Sequence, residues 1–325
     1  VLVLLSTSRY FMVNAEYVKQ TMRGGSELTI RPNDIYPEEN QAVESDGLDA
    51  EYASEWSYGK AETMTLLVPG FYGGSSDEPV DKNSAYYKLQ KDEIAPLYWG
   101  NQRFTSGPVY FGAIIVFLFL LGLFVVKGPE RWWLLAATII GIVMAWGSNL
   151  PWFNDLLRNY LPMYSKFRSP SMSLVIASVS AVVLAVLALR QVFSETDRKK
   201  YNISLYISAG ITLIICLLVA IAGASVCNFS GAGDSALSEE VRNALITDRQ
   251  SLMTADAWRS FAFVLAVVLV LWLFINDKVK NVKIIATIIG VLVLIDLIGV
   301  DSRYLNEDKY VKESSLDFKP DDGDK

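Results

Sequence analysis

Six apolar runs, each close to the length of a bilayer crossing, occupy the chain between Pro108 and Val300 and restrict the solvent it can fold in. An α-helix rises about 1.5 Å per residue, so roughly 20 apolar residues cross the hydrocarbon layer. The runs cover 108–126, 132–146, 172–189, 203–222, 257–275 and 284–300. Their glycines and β-branched residues are compatible with helix, because no water in lipid competes for the backbone groups. The pattern predicts an all-α fold, a polytopic helical transmembrane bundle over 107–300 with extracytoplasmic loops.

Hydrophobic residues make up 52% of the chain and charged ones 20%, with the charges almost wholly between the runs, which leaves too little apolar sequence for a second large water-soluble core. Val1 to Leu5 has no initiator Met and no basic flank, so 1–8 reads as the end of an interrupted helix rather than a signal peptide. The acidic stretch 301–325 reads as the start of a tail, and the chain is expected to be a fragment. Orientation follows from cations retained on the cytoplasmic side. Lys127 and Arg131, then Arg190, Arg198, Lys199 and Lys200, then Lys278, Lys280 and Lys283 crowd the short connections. The longer connections 147–171 and 223–256 dilute their cations, and are expected outside together with 9–106 and the tail.

Cys216 and Cys227 would lie about 16 Å apart along one helix, too far for a disulfide, and are expected as free thiols. The chain has no histidine, which excludes imidazole catalysis and histidine metal sites within it. A net charge of -6 argues against nucleic acid as a partner.

Breaker clusters at Arg23-Gly24-Gly25-Ser26, Pro69 to Gly74 and Ser106-Gly107-Pro108 divide the first outer segment. Between the first two, 54–67 reads as a short helix capped by Ser54 and closed by Pro69, with Glu62 midway. The many aromatics of this segment, Tyr52, Trp56, Tyr58, Tyr72 and Trp99 among them, read as an interfacial belt and loop core, or alternatively as a carbohydrate platform. Pro151 opens an amphipathic pattern over 151–161 that describes an interfacial helix. It leads to Lys166 and Arg168 just above a span, placed either to hold a lipid phosphate or to anchor at headgroups. A further helix is predicted near 235–256, capped by Asp234 or Ser235, with Asp248 and Arg249 on a charge run of the kind that is usually a solvated face. Asp256 and Arg259, three apart, can pair as a structural clasp. Asp296 sits inside the last run, where an acid needs a partner, and Arg303 two turns on can reach back to it.

Several strings share their order and spacing with a known family: Thr21 to Thr29, Ser57 to Thr63 with Leu66 and Val68 to Gly74, Phe167-Arg168-Ser169-Pro170-Ser171-Met172, and Asp296 with Val300 to Leu305. Together they resemble the bacterial YfhO family in its Bacteroidetes form. The resemblance implies the C-terminal part of a GT-C-like membrane glycosyltransferase. Such an enzyme moves a sugar from a polyprenyl-phosphate carrier to a cell-surface polymer at the outer face of the cytoplasmic membrane. No cofactor is evident in the sequence, and the lipid-linked sugar donor enters as substrate. Its catalytic acid is expected outside this stretch. Lys166 and Arg168 are then candidates for the carrier phosphate, with Glu62 and Asp296 as supporting carboxylates. Two other classes compete: a flippase or transporter of lipid-linked saccharide, and a non-catalytic scaffold for envelope assembly.

Overall fold

The computed structural model describes residues 12–14, 16–18, 50–161, 164–306 and 310. The N-terminal stub, the Thr21 to Thr29 string with its Gly24-Gly25 turn, and nearly all of the tail beyond Asn306 lie outside the described residues. Helices dominate the rest. They are α1 (Ala50–Ala53), α2 (Ala85–Gln90), α3 (Ala113–Val125), α4 (Glu130–Ala145), α5 (Pro151–Tyr160), α6 (Leu174–Ser194), α7 (Asn202–Val226), α8 (Glu239–Ile275) and α9 (Val282–Tyr304). Strands β1 (Glu78–Pro79) and β2 (Ile94–Ala95) form one short antiparallel pair, Glu78 opposite Ala95.

All six apolar runs form helix, but among the described residues four helices are long and apolar enough to cross a membrane: Pro170–Ser194, Arg198–Val226, Glu239–Ile275 and Val282–Tyr304. The first run yields only the 13 residues of α3, about 20 Å of helix. Pro108 and a left-handed Gly112 delay its start, and an extended Val126 followed by Gly128 at φ 120° ends it. The second yields the 16 residues of α4. The span-length helices keep large apolar side chains exposed: Ile203, Ile207, Ile214, Leu218 and Ile221 on α7, and Ile288, Val291, Leu294, Ile295 and Ile298 on α9. On α9 the buried residues are Ile285, Ile289, Asp296 and Val300, a single stripe. Apolar faces of this extent are stable against lipid rather than water.

Two sequence expectations are corrected. Residues 54–67 do not form one helix: α1 ends at Ala53, and a 3-10 turn over Ala61–Leu66 carries Glu62. Pro69 opens a further 3-10 turn, Pro69–Tyr72, instead of closing a helix. The helix predicted near 235–256 is not separate, because α8 runs unbroken for 37 residues into the span. Its cap is Ser238, whose side chain accepts from the Val241 amide, since the Asp234 carboxylate is taken by Arg249. By contrast the amphipathic helix after Pro151 forms as α5, with Trp152, Leu156 and Tyr160 exposed.

The chain divides into two compact units, 1–63 with 100–103 and 133–180, and 64–99 with 104–132 and 181–325. In the first, Tyr58, Ala145 and Leu174 form a buried cluster flanked by Ile142 and Trp146. The Tyr58 amide donates to the Ala145 carbonyl at 2.8 Å, and Trp146 Nε1 donates to Thr63 Oγ1 at 3.0 Å. Gly141 lets α4 approach the start of α6, where a Cβ would sit 2.9 Å from the Ala177 amide nitrogen.

In the second unit α8 packs along α7 and also meets α3 and α9. Its polar half is anchored by Arg249, which is only 1% exposed and not on a solvated face. The guanidinium donates to the carbonyls of Pro96, Leu97 and Phe229 and to both carboxylate oxygens of Asp234. Burial alone would raise the Asp234 pKa, yet hydrogen bonds from Arg249 and the Gly231 amide hold it below the ordinary carboxylate value. Asp248 next to it accepts from the amides of Ala85 and Tyr86 and so fixes the start of α2. Both cysteines are free.

A branched side chain at Gly141 must push α4 away from Ala177. Gly141→Leu is expected to destabilise the protein by about 1–3 kcal/mol, the usual cost of overpacking, read as a lowered midpoint in detergent-solubilised thermal unfolding.

Candidate functional site

Each unit holds a cluster of charged side chains beside the apolar part of a span-length helix. In the first unit the turn Phe167 to Pro170 leads into the helix Pro170–Ser194. Ser169 adopts a left-handed φ of 69°, a costly conformation for a residue with a Cβ. Backbone bonds from Ser169 to the Ala53 carbonyl and from Ser171 to the Trp56 carbonyl hold it there. The turn aims Arg168 between two rings, its guanidinium carbon 4.0 Å from the centre of Tyr52 and 4.1 Å from that of Trp56. Arg168 also donates to the Tyr52 hydroxyl at 2.9 Å and forms an ion pair with Glu55.

Lys166 lies two residues earlier, partly buried in a 3-10 turn. Glu62 is buried, 3% exposed, and is engaged: Oε2 accepts from the Gly59 amide and Oε1 from Gln102 Nε2, each at 2.9 Å. Its carboxylate closes a turn of the loop.

The second cluster lies where α8 passes from its charged half to its apolar half. Two ion pairs form here, and their partners are crossed relative to the sequence expectation. Asp256 does not pair with Arg259. It receives a bidentate fork from Arg303, at 2.8 and 2.6 Å. Arg259 pairs with Asp296 at 2.9 Å. Residues three apart on a helix are neighbours, but here each side chain pairs across the α8–α9 contact. Asp256 and Asp296 are 2% and 1% exposed, and burial of a carboxylate demands a matched cation.

Tyr110, just before α3, extends the second pair: its hydroxyl donates to Asp296 Oδ1 and accepts from the Ala113 amide, both at 2.8 Å. The loop of Pro69 to Gly74 closes over the first pair. A Cβ on Gly70 would lie 2.6 Å from Asp256 Oδ2, so only glycine lets the backbone come so near. Ser260 Oγ donates to the Leu67 carbonyl at 2.7 Å and ties the same loop to α8.

Beyond Arg303 sits a carboxylate that sequence reasoning passed over. Glu78 is 5% exposed, accepts from the Ser75 amide at 2.7 Å, and faces the Tyr304 hydroxyl at 3.4 Å. Burial raises its pKa above the ordinary value, with hydrogen bonds from the Ser75 amide and hydroxyl and the positive Arg303 opposing. In sequence Glu78 is one acid among several in a glycine- and serine-rich stretch and carries no signal of its own. The Arg168 cage was equally hidden, although the aromatic density around Tyr52 and Trp56 was visible.

Two outcomes follow. Double-mutant cycles should give a coupling of about 1–3 kcal/mol between Asp256→Ala and Arg303→Ala, and a smaller one between Asp256→Ala and Arg259→Ala. For Glu78 the folded pKa lies above 4.5, so its stabilising contribution is full at lower pH and is lost as pH rises from 4.5 through the folded value. Glu78→Gln should remove that decline in a pH series of unfolding midpoints.

No family model, curated protein or solved structure matches the chain, so the two clusters are interpreted from their own geometry.

Proposed function

We propose that this protein is an integral membrane glycosyltransferase with a GT-C-like architecture, akin to the YfhO family. It would transfer a sugar from a polyprenyl-phosphate carrier to a cell-surface polymer, at the outer face of the bacterial cytoplasmic membrane. The reading is carried by Arg168: a guanidinium held between the rings of Tyr52 and Trp56, at the mouth of a span-length helix, with part of its surface still open. A planar fork fixed at that depth matches a phosphate bidentately. Lys166, two residues away, adds a second cation for the same headgroup.

In this reaction the acceptor oxygen bonds to the anomeric carbon and the carbon–oxygen bond to phosphate breaks. The acceptor's proton passes to a base, and the bonding electrons leave on the phosphate oxygen, where positive charge stabilises them. Arg168 and Lys166 take the leaving-group role. Glu55 balances Arg168 in the absence of a phosphate, so the carrier headgroup exchanges with that carboxylate. Glu62, bound to Gly59 and Gln102, and Asp296, bound to Arg259 and Tyr110, act as structural supports rather than as the base.

A lipid-linked saccharide transporter is the second reading. The Asp296–Arg259 pair favours it, since charges buried within a span mark pathways as well as clasps.

The full-length protein in vesicles, supplied with radiolabelled polyprenyl-phosphate sugars, tests the first reading. Arg168→Ala should lower carrier turnover by at least about tenfold, a loss of about 1.4 kcal/mol of transition-state stabilisation, while Arg168→Lys should recover part of it. Turnover unchanged in Arg168→Ala removes this residue from the mechanism, and sugar movement across the vesicle without transfer establishes the transporter.

A further inference from the structure

We propose that the cations at the shared end of α7, α8 and α9 are a docking surface for the headgroup of an anionic phospholipid, whose acyl chains lie on the apolar side chains that follow them. Two turns meet here, 195–201 before α7 and 276–281 between α8 and α9. Arg198 Nη1 pairs with Asp277 at 3.3 Å, and the side-chain amides of Asn202 and Asn276 donate to each other at 3.2 and 3.0 Å. The Arg198 guanidinium also lies over Phe274, its carbon 4.2 Å from the ring centre. These contacts fix the two turns side by side, so their charges act as one patch.

The patch holds more positive charge than its own acids balance. Over 195–200 and 277–283, six cations (Arg198, Lys199, Lys200, Lys278, Lys280 and Lys283) face three acids, Glu195, Asp197 and Asp277. Arg198 pairs with Asp277 and Lys200 with Glu195, whereas the exposed Lys199, Lys278, Lys280 and Lys283 form no ion pair among the described residues. Helix dipoles do not explain this excess. A cation suits the carbonyl end of a helix, which accounts for Lys278 after α8. Lys199, in the turn before α7, and Lys283, in the first turn of α9, stand instead at positive ends, where acids are favoured and neither helix carries one. They repel the dipoles as well as each other, and an anion from outside the chain relieves both.

The adjoining side chains place that anion at the bilayer surface. One turn into α7, about 6 Å along the helix from the asparagine pair, the exposed Tyr206 accepts from Trp272 Nε1 at 3.1 Å. Tyrosine and tryptophan, with one apolar end and one wet end, collect at headgroup depth. Exposed Ile203 and Ile207 on α7 and Ile284 and Ile288 on α9 begin at the same level and continue into the apolar faces. A phosphate carrying two acyl chains matches both the cations and the apolar residues beside them, whereas a free phosphate matches only the cations. Cation-rich connections are retained on the cytoplasmic side, which assigns the lipid to the inner leaflet.

This surface does not rest on glycosyl transfer, and its test reads lipid binding alone. The full-length protein is placed in nanodiscs of equal parts phosphatidylglycerol and phosphatidylcholine with identical acyl chains, and native mass spectrometry counts the lipids that stay on it after release. Phosphatidylglycerol should be retained over phosphatidylcholine at least about tenfold. The preference should shrink when the lipids equilibrate in about 1 M salt, where the screening length falls to about 3 Å. Lys199→Gln combined with Lys280→Gln and Lys283→Gln should lower it at least about threefold, while arginine at the same three positions should keep it. Lys82→Gln combined with Lys88→Gln and Lys91→Gln removes equal charge around α2 and should leave it intact. Equal retention of the two lipids gives the lysines an orienting role only and overturns the proposal. So does a preference unchanged in the first glutamine variant or lost equally in the second. Displacement of the retained lipid by glycerol phosphate marks a site for free phosphate and overturns it as well.

Discussion

Burying a carboxylate in a helical membrane bundle is tolerable only when a cation is built in beside it, and two such pairs join α8 to α9. Asp256 with Arg303 and Asp296 with Arg259 place four charges at or near the ends of apolar helices, with both acids almost fully enclosed. Removing one partner of a buried pair strands the other charge, at a cost of about 3–5 kcal/mol. The surrounding backbone conforms to the pairs. Gly70 lets a loop pass against Asp256, Ser260 fastens that loop at Leu67, and Tyr110 links Asp296 to the start of α3.

Arginine recurs at each structural junction, for a consistent reason. Its planar fork satisfies several acceptors at once and is weakly hydrated, so it can be buried where lysine cannot. Arg249 gathers three carbonyls and Asp234 around one guanidinium, and Arg168 is held by two aromatic faces and Glu55. The first of these is fully enclosed and structural. The second retains open surface at the mouth of a span-length helix, and that difference singles it out for the leaving phosphate in the proposed transfer.

The helical class was legible in the apolar runs, since their length and composition suit no other solvent. Span number was less legible, because it depends on where each helix begins. Pro108 and Gly112 shorten α3, and the charged Glu130-Arg131 opens α4, so two runs that read as crossings form helices of 13 and 16 residues. The continuity of α8 was also hidden: its polar half and apolar half differ in composition, and nothing between them breaks a helix.

Sequence alone determined which residues had to be resolved by pairing: Asp256, Arg259, Asp296 and Arg303 stand beside or inside apolar runs, where an unpartnered charge is untenable. The tertiary structure alone decided who pairs with whom. Spacing along one helix offers Arg259 to Asp256 and Arg303 to Asp296, but the packing of α8 on α9 brings Arg303 to Asp256 and Arg259 to Asp296. Glu78 with Tyr304 and the Arg168 cage belong to the same category. Each is made by residues far apart in the chain, and local sequence holds no record of contacts that exist only after helices and loops have packed.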